Sequence, residues 1–258
     1  MSNIHPTAIV ENSVKLGKNV SIDAYSVVRG NVTIGDGTNI GTHTLIEGNT
    51  TIGKDNQIFS HAVIGSIPQD LKFDGEEVFL IIGDRNRIRE HTLINPGTQG
   101  GGAKTVIGND CLLMGHVHLG HDCIFGDNIV VANSTAVAGH VEVGDNTVIG
   151  GLSAIHQFCL IGENAMIGGG SIVIQDIPPY TVCEGNRAVI KGINLNGLRR
   201  KFENREDINA VKNAYKELFR NDNTPKDNAM TLLENSDNQY VKKMCQFVVD
   251  TKRGIPFK

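Results

Sequence analysis

Apolar residues recur at every sixth position from Ile4 to Ile64, through Val10, Leu16, Ile22, Val28, Ile34, Ile40, Ile46, Ile52 and Ile58. The period returns at Ile82, Ile88 and Ile94, slips by one residue, and runs through twelve more positions from Ile107 to Val173. A helix repeats every 3.6 residues and an isolated strand every 2, so neither produces a six-residue grid. Gly follows half of the 26 grid residues, and the residue four after them is usually small or β-branched, as at Thr38, Thr44, Ala62, Thr147 and Ser153. A short strand and a sharp corner account for both, with Gly expected to relieve backbone strain at the corner. Three such hexads close one triangular coil, and coils stack because a single repeat cannot bury its apolar side alone. With paired strands roughly 4.8 Å apart, the grid predicts about eight or nine coils in a prism about 40 Å tall.

The pattern breaks twice. Asp70 and Glu76 fall on grid positions between Ile64 and Ile82, which an apolar column cannot accept, so a protruding loop is expected over about 65–81. A second, from Asn95-Pro96-Gly97 through Gly100-Gly101-Gly102, over about 95–106, accounts for the slipped residue. Loops on rigid scaffolds are where binding residues concentrate. The three glycines precede no helix, which argues against a nucleotide loop.

Beyond Val173 the grid ends at Pro178-Pro179 and the pattern turns helical. Ile208, Val211, Tyr215 and Leu218 share one helical face, Thr224-Pro225 reads as a cap, and Ser236 is expected to open a last helix stopped by Gly254. The predicted fold is an all-β left-handed parallel β-helix over residues 1–190, followed by a small C-terminal α-helical domain over 191–258.

Composition sharpens this division. Residues 1–190 carry 10 Lys+Arg against 19 Asp+Glu, whereas residues 191–258 carry 14 against 9. A basic end on an acidic protein suits a phosphate-bearing or acidic partner. Neither a charged-then-apolar leader nor an apolar run of spanning length occurs, so a cytoplasmic protein without a membrane span is expected. Cys111, Cys123 and Cys159 occupy the small slot four after a grid residue and read as core filler rather than disulfide or metal ligands.

Five of the nine histidines lie between His116 and His156: His116, His118, His121, His140 and His156. Register is unbroken from Ile107 to Val173, so residues three hexads apart share a column. Asp122 then lies under His140, His121 under Gly139, and Ala138 under His156. Coils about 5 Å apart bring His121, His140 and His156 into one patch suited to proton transfer or to metal. His121-Asp122 supplies a base and a carboxylate, although neighbours on a strand point to opposite faces. His116 is the expected bystander, and His5, His43, His61 and His91 are expected on the surface. Zinc is the rival reading, because His116-x4-His121 within hexads resembles the gamma-class carbonic anhydrases, coils that hold zinc with three histidines. The two loops and the basic tail weigh against it.

The ordered motifs carry a closer likeness. IHPTAIV at 4–10, QDLK in the first loop, GDRNRIRE at 83–90, INPGTQGG in the second loop, GHDC around His121, AGHV at 138–141, IHQF at 155–158, QDIPPY at 175–180 and EGNRA with GINLNGLRR span nearly the whole chain. The chain resembles the bacterial UDP-N-acetylglucosamine O-acyltransferases that begin lipid A biosynthesis. That resemblance implies transfer of an (R)-3-hydroxyacyl chain from acyl carrier protein to the 3-position of UDP-N-acetylglucosamine. It implies His121 as general base beside Asp122, and the Gly139 backbone N–H as oxyanion donor. Asp70, Lys72, His118, His140, His156, Gln157, Asn194 and Arg200 match substrate-binding positions, and Met166 and Gly169 match an acyl-chain groove that has room for a long chain. The family works without a metal or cofactor, because the phosphopantetheine belongs to the donor. It forms homotrimers with sites between prisms, so that His121 and Lys72 of one site are allowed to come from different chains, and nucleic acid is not among its partners.

Two positions depart from the family pattern. Asn95 stands where many members have His, which leaves ester or amide as the product, since some branches acylate a 3-amino sugar. Lys201 stands where many have a second Arg, which points to a monodentate phosphate contact. A sister enzyme that acylates the glucosamine nitrogen carries an extra domain before its coil, for which a grid starting at Ile4 leaves no space. A coenzyme A-dependent acetyltransferase of this fold does not explain QDLK or the helical tail, and a non-enzymatic scaffold does not explain the histidine patch.

Overall fold

The computed structural model describes residues 2–220 and 223–257. Grid residues form the core: Ile22, Ile40, Ile88, Leu119, Ile149 and Ile167 are each at most 1% exposed. They sit on short strands that pair in register with the coil on either side, Leu119 lying between Ile94 and Val137. The pairing builds three sheets of eleven, nine and eight strands around one apolar axis. Along each strand the grid residue points in and its predecessor out, as alternation on a pleated strand requires. The architecture is the expected parallel β-helix.

It runs further than the grid indicates. Strand Thr181–Glu184 pairs in parallel with Met166–Ile167 and then antiparallel with Val189–Ile193, so the longest sheet holds ten parallel strands. The coil was lost to sequence reading at Pro178-Pro179 because its length changes. Ile177 bridges Ile161 and Cys183 pairs with Ile167, where three full hexads would have brought Pro179 and Gly185 opposite them.

Corners are made differently from expectation. At most corners the third residue after the grid position takes a left-handed backbone whatever its identity: Asn19, His43, Asp55, Arg85, Leu152 and Phe158 all have φ between 54° and 65°. The glycine directly after the grid position serves close approach instead. A Cβ on Gly35 would lie 2.6 Å from the Gly53 carbonyl carbon, and one on Gly144 would lie 2.6 Å from the Glu163 nitrogen. Non-glycine residues therefore absorb the backbone strain of the left-handed corner, about 1 kcal/mol or more each, and the surrounding pairing holds them there.

Both loops are shorter than predicted, because strands resume at Phe79 and Lys104, which leaves 65–78 and 95–103 outside the coil. Strand Val189–Ile193 also moves the start of the helical part to α1, Leu195–Lys201, followed by α2, Arg205–Arg220, α3, Pro225–Asn235, and α4, Gln239–Asp250. Thr224 caps α3 by accepting the Asp227 N–H, with Pro225 in the first turn. Ser236 ends α3 rather than opening α4. Asn238 caps α4, taking the N–H groups of Tyr240 and Val241, and α4 stops at Asp250, before Gly254 is reached. Tyr180, Leu198, Val211, Leu218, Val241 and Met244 form a second core that fastens the helices to the end of the prism. Burial pushes the Cys111 thiol up to about 11 and the Cys123 thiol to about 12, so both stay protonated as core filler. No helix among the described residues is long and apolar enough to cross a membrane.

Truncating one grid residue removes a plug from a column whose neighbours are fixed by pairing above and below. Ile88→Ala is expected to cost about 2–5 kcal/mol, whereas Ile81→Ala, outward on a neighbouring strand and 41% exposed, should cost no more than about 0.5 kcal/mol. Denaturant unfolding of the two variants checks the difference.

Candidate active site

His121, Gly139 and Gln157 stack on one column, and Asp122, His140 and Phe158 on the next; His140 N–H donates to His121 O at 2.9 Å and Phe158 N–H to Gly139 O at 3.1 Å. Asp122 is not on a strand. It holds the left-handed corner, with φ 59°, which turns its side chain toward its neighbour's. His121 Nδ1 lies 2.8 Å from Asp122 Oδ2. The carboxylate is fully buried, and the second loop encloses it: Thr98 N–H donates to Oδ1 at 2.9 Å and Thr98 Oγ1–H to Oδ2 at 2.7 Å. A Cβ on Gly101 would lie 2.1 Å from Asp122 Cγ, so glycine at this one position of the run is what lets that loop close over the acid. An ionised carboxylate only accepts, which places the His121 proton on Nδ1 and leaves a lone pair on Nε2.

Nε2 faces Gly139. A Cβ at that residue would lie 2.7 Å from Nε2 and 2.6 Å from Cε1, so any side chain there would displace the ring. The Gly139 N–H donates to no other group among the described residues. A lone pair and a free backbone donor thus share one small region.

His140 meets His121 edge-on, ring centroids 5.0 Å apart at 89°, and stacks on Phe158 at 4.4 Å. Burial lowers the His140 pKa, against the opposing pull of Asp122. Burial likewise lowers that of His118, whose Nδ1 is buried without a partner. His121, Asp122 and His140 offer ligand atoms within 4.8 Å of one another, the group among the described residues able to hold a metal ion. Both carboxylate oxygens are already engaged by Thr98 and His121, and the set has two imidazoles where the zinc coils have three. Its donors are arranged to orient an imidazole.

Between the loops and this edge lies a cleft of about 570 Å³, lined by Asp70, Lys72, Glu76, Thr98, Gln99, His140 and Phe158 among others. One chain therefore brings Asp70 and Lys72 to its own His140. The loops are tied together: Gln99 N–H donates to Glu76, and Asn95 Nδ2 to the carbonyls of Ser66 and Ile67 at 3.0 and 3.1 Å. Asn95 Oδ1 is buried with no donor.

The remaining expected residues lie elsewhere. Asn194 and Arg200 line a cleft of about 250 Å³ with Asn128, Asn146, Asn164 and Lys201, on the outer face of the eleven-stranded sheet. Asn194 caps α1 through Gly197 and donates to Asn164 O at 2.9 Å. Asn164 Nδ2 is buried there without an acceptor. Met166 is on the same sheet and exposed Gly169 on the corner beyond it, away from the His140 cleft. The single chain thus carries two separate clefts, with the expected residues divided between them.

Residues 176–256 match the family profile described as UDP N-acetylglucosamine O-acyltransferase, domain 2, and residues 13–48 match the bacterial transferase hexapeptide profile. An acyl-[acyl-carrier-protein]--UDP-N-acetylglucosamine O-acyltransferase of Aliarcobacter butzleri is 60% identical over 100% of this chain and 99% of its own. The chain belongs to the UDP-N-acetylglucosamine O-acyltransferase family. The solved UDP-N-acetylglucosamine acyltransferase of Campylobacter jejuni superposes with a TM-score of 0.95 at 44% identity, covering 99% of this chain and all of that one. Its counterpart from Acinetobacter baumannii gives 0.94 at 40% identity, over 98% of each chain.

Within this acyltransferase fold, several site features escaped the sequence reading. Thr98 left no signal, because its role depends on where an irregular loop lands. Asn128, Asn146 and Asn164 were legible as a column, one per coil. So was His43 above Tyr25 and below His61: Tyr25, His43, His61, His91 and His116 stack at 4.7–5.1 Å along a different edge, exposed but not scattered.

Since burial lowers the pKa of His118 and His140 in the fold, the neutral rings stabilise it. That contribution is complete above about pH 6.5 and is lost as pH falls through the lowered folded values. Thermal melts should therefore show the midpoint dropping from pH 7 to 5, with a shallower drop in His118→Gln; equal slopes would contradict the assignment.

Proposed function

We propose that this chain transfers an (R)-3-hydroxyacyl group from acyl carrier protein to the 3-hydroxyl of UDP-N-acetylglucosamine, with His121 as the general base. The observation that carries this reading is the His121–Asp122 pair, enclosed by Thr98, with Nε2 directed at Gly139. Nε2 takes the hydroxyl proton as the oxygen attacks the thioester carbonyl. Asp122 supports the resulting imidazolium, and the Gly139 N–H receives the negative charge that develops on the carbonyl oxygen. Collapse expels the carrier thiolate, which recovers the proton from the imidazolium. No side-chain nucleophile or cofactor enters, since the phosphopantetheine arrives with the donor.

Asp70 and Lys72 hold the sugar from the first loop, His118, His140, His156 and Gln157 line its path, and Asn194 and Arg200 take the uridine diphosphate, Arg200 matching phosphate geometry. Met166 and Gly169 shape an acyl groove that accepts a long chain. Arg199, Arg200 and Lys201 offer the acidic carrier protein a docking patch. A second reading, acylation of a 3-amino sugar, draws on Asn95: its buried Oδ1 lacks a donor that a substrate N–H would supply. We read the working enzyme as a cytoplasmic homotrimer. The separation of the two clefts supports this, as does the outer face of the nine-stranded sheet, where Val27, Leu45, Val63 and Leu93, then Ala136 and Ala154 beyond His118, present apolar side chains.

Transfer of labelled 3-hydroxyacyl chains to the sugar nucleotide and to its 3-amino analogue tests the chemistry. His121→Ala should lose about 10²-fold or more, and prior dialysis against EDTA should change nothing; turnover retained in the variant would move the base elsewhere. Mixed trimers test the assembly. Co-folding His121→Ala with Arg200→Ala should restore activity at roughly a quarter of sites, by random assortment into a cyclic trimer. A mixture no more active than its parents would place each site within one chain.

A further inference from the structure

Asp176 is fully buried, with one oxygen anchored to the coil and the other holding a short stretch of tail against the prism. Oδ1 accepts the Leu160 N–H at 2.9 Å; Oδ2 accepts the Thr251 hydroxyl at 2.6 Å and the N–H groups of Lys252 and Arg253 at 3.3 Å. The Asp176 N–H donates to Gly254 O at 3.0 Å, and Gln175 Nε2 to Arg253 O at 3.2 Å. Arg253 is thereby fixed at its main chain on both sides. Its Nε and Nη2 donate to Ile174 O, each at 3.1 Å, which fixes the guanidinium as well. So held, Nη2 lies 3.3 Å from His156 Nδ1.

That nitrogen has two neighbours with opposite demands. Gln157 O, 3.1 Å away, accepts and would draw a proton onto Nδ1. Arg253 donates and stays protonated, so it requires a lone pair there. A neutral imidazole satisfies only one of them. We infer that Arg253 is a positioning residue for His156: by occupying Nδ1 as a donor it keeps the ring proton on Nε2, which has no partner among the described residues, so that His156 offers a hydrogen-bond donor to substrate. In the absence of the guanidinium the proton moves to Nδ1, bonds to Gln157 O, and the outer nitrogen becomes an acceptor. His121 carries the reverse tautomer, held by Asp122. Two histidines on one edge thus present a base and a donor because one has a carboxylate at Nδ1 and the other a guanidinium. The consequence for turnover rests on the acyl-transfer reading above; the tautomer does not.

The test is the state of the His156 ring in protein labelled with ¹⁵N at histidine, read by long-range ¹H–¹⁵N correlation at pH 8 and assigned with His156→Asn. The wild-type spectrum needs no variant: Nδ1 should be unprotonated and Nε2 protonated, and a protonated Nδ1 overturns the inference. Arg253→Met, which keeps the apolar stem, should move the proton to Nδ1 and lower kcat/KM for acyl transfer about tenfold, the loss of one hydrogen bond to substrate. Arg253→Lys, still a donor, should keep the wild-type tautomer and most of the activity. An unchanged tautomer in Arg253→Met, or an inverted one with unchanged kcat/KM, refutes the positioning role. A wild-type enzyme with the expected tautomer and no acyl transfer would instead refute the proposed reaction.

Discussion

Backbone pairing between one coil and the next is the interaction on which everything else in this molecule rests. Each strand is only two to five residues long and could not persist by itself. Its hydrogen bonds run to the coils above and below, at a spacing of about 4.8 Å that leaves no slack. Each residue is consequently stacked on its equivalent in the coil before wherever the coil is regular, and side chains of similar kind accumulate in columns. Isoleucines fill the axis, asparagines line one corner, and histidines line another.

The same constraint explains why the corners are strained by residues other than glycine. At the corners where glycine follows the grid position, as at Gly35 and Gly144, successive coils pass so close that a Cβ would collide with backbone although φ is ordinary. The left-handed turn falls two residues later, where the side chain has open space, and pairing imposes it on Asp, His, Leu and Phe alike. At Asp122 that imposed conformation is what brings the carboxylate to His121. Fold strain and site geometry are the same event here.

This division sets what the sequence revealed. A translational rule is legible from spacing alone, and so the prism, the column placing His121 under Gly139, and the departure of both loops were all readable from the grid. The His121–Asp122 contact was not, because alternation on a strand was assumed where the chain in fact turns a corner. Nor was the end of the coil, where a shortened turn carries Ile177 and Cys183 off the grid while they still fill the core. Thr98 and Arg253 lie where no period operates. Each reaches the site through irregular backbone, the one from a loop 24 residues before its partner and the other from a tail 97 residues after.

Columns by themselves do not make a catalyst, and the two histidine edges of this protein demonstrate the difference. His43, His61, His91 and His116 lie face to face at 4.7–5.0 Å with stacked planes, each exposed. Among the described residues, no hydrogen bond to a ring nitrogen of these four selects one nitrogen over the other. On the other edge the rows are broken: glycine replaces a side chain at 139, an acid takes the corner at 122, and an irregular segment buries that acid. His140 meets His121 edge-on, and His121 and His156 have different partners at Nδ1, a carboxylate and a guanidinium. Proton transfer needs that asymmetry, since a base and a hydrogen-bond donor must be present together at one pH. A perfectly repeating solenoid cannot supply it. The excursions from the repeat, costly to a packed prism and invisible to its period, are what distinguish one histidine from the next.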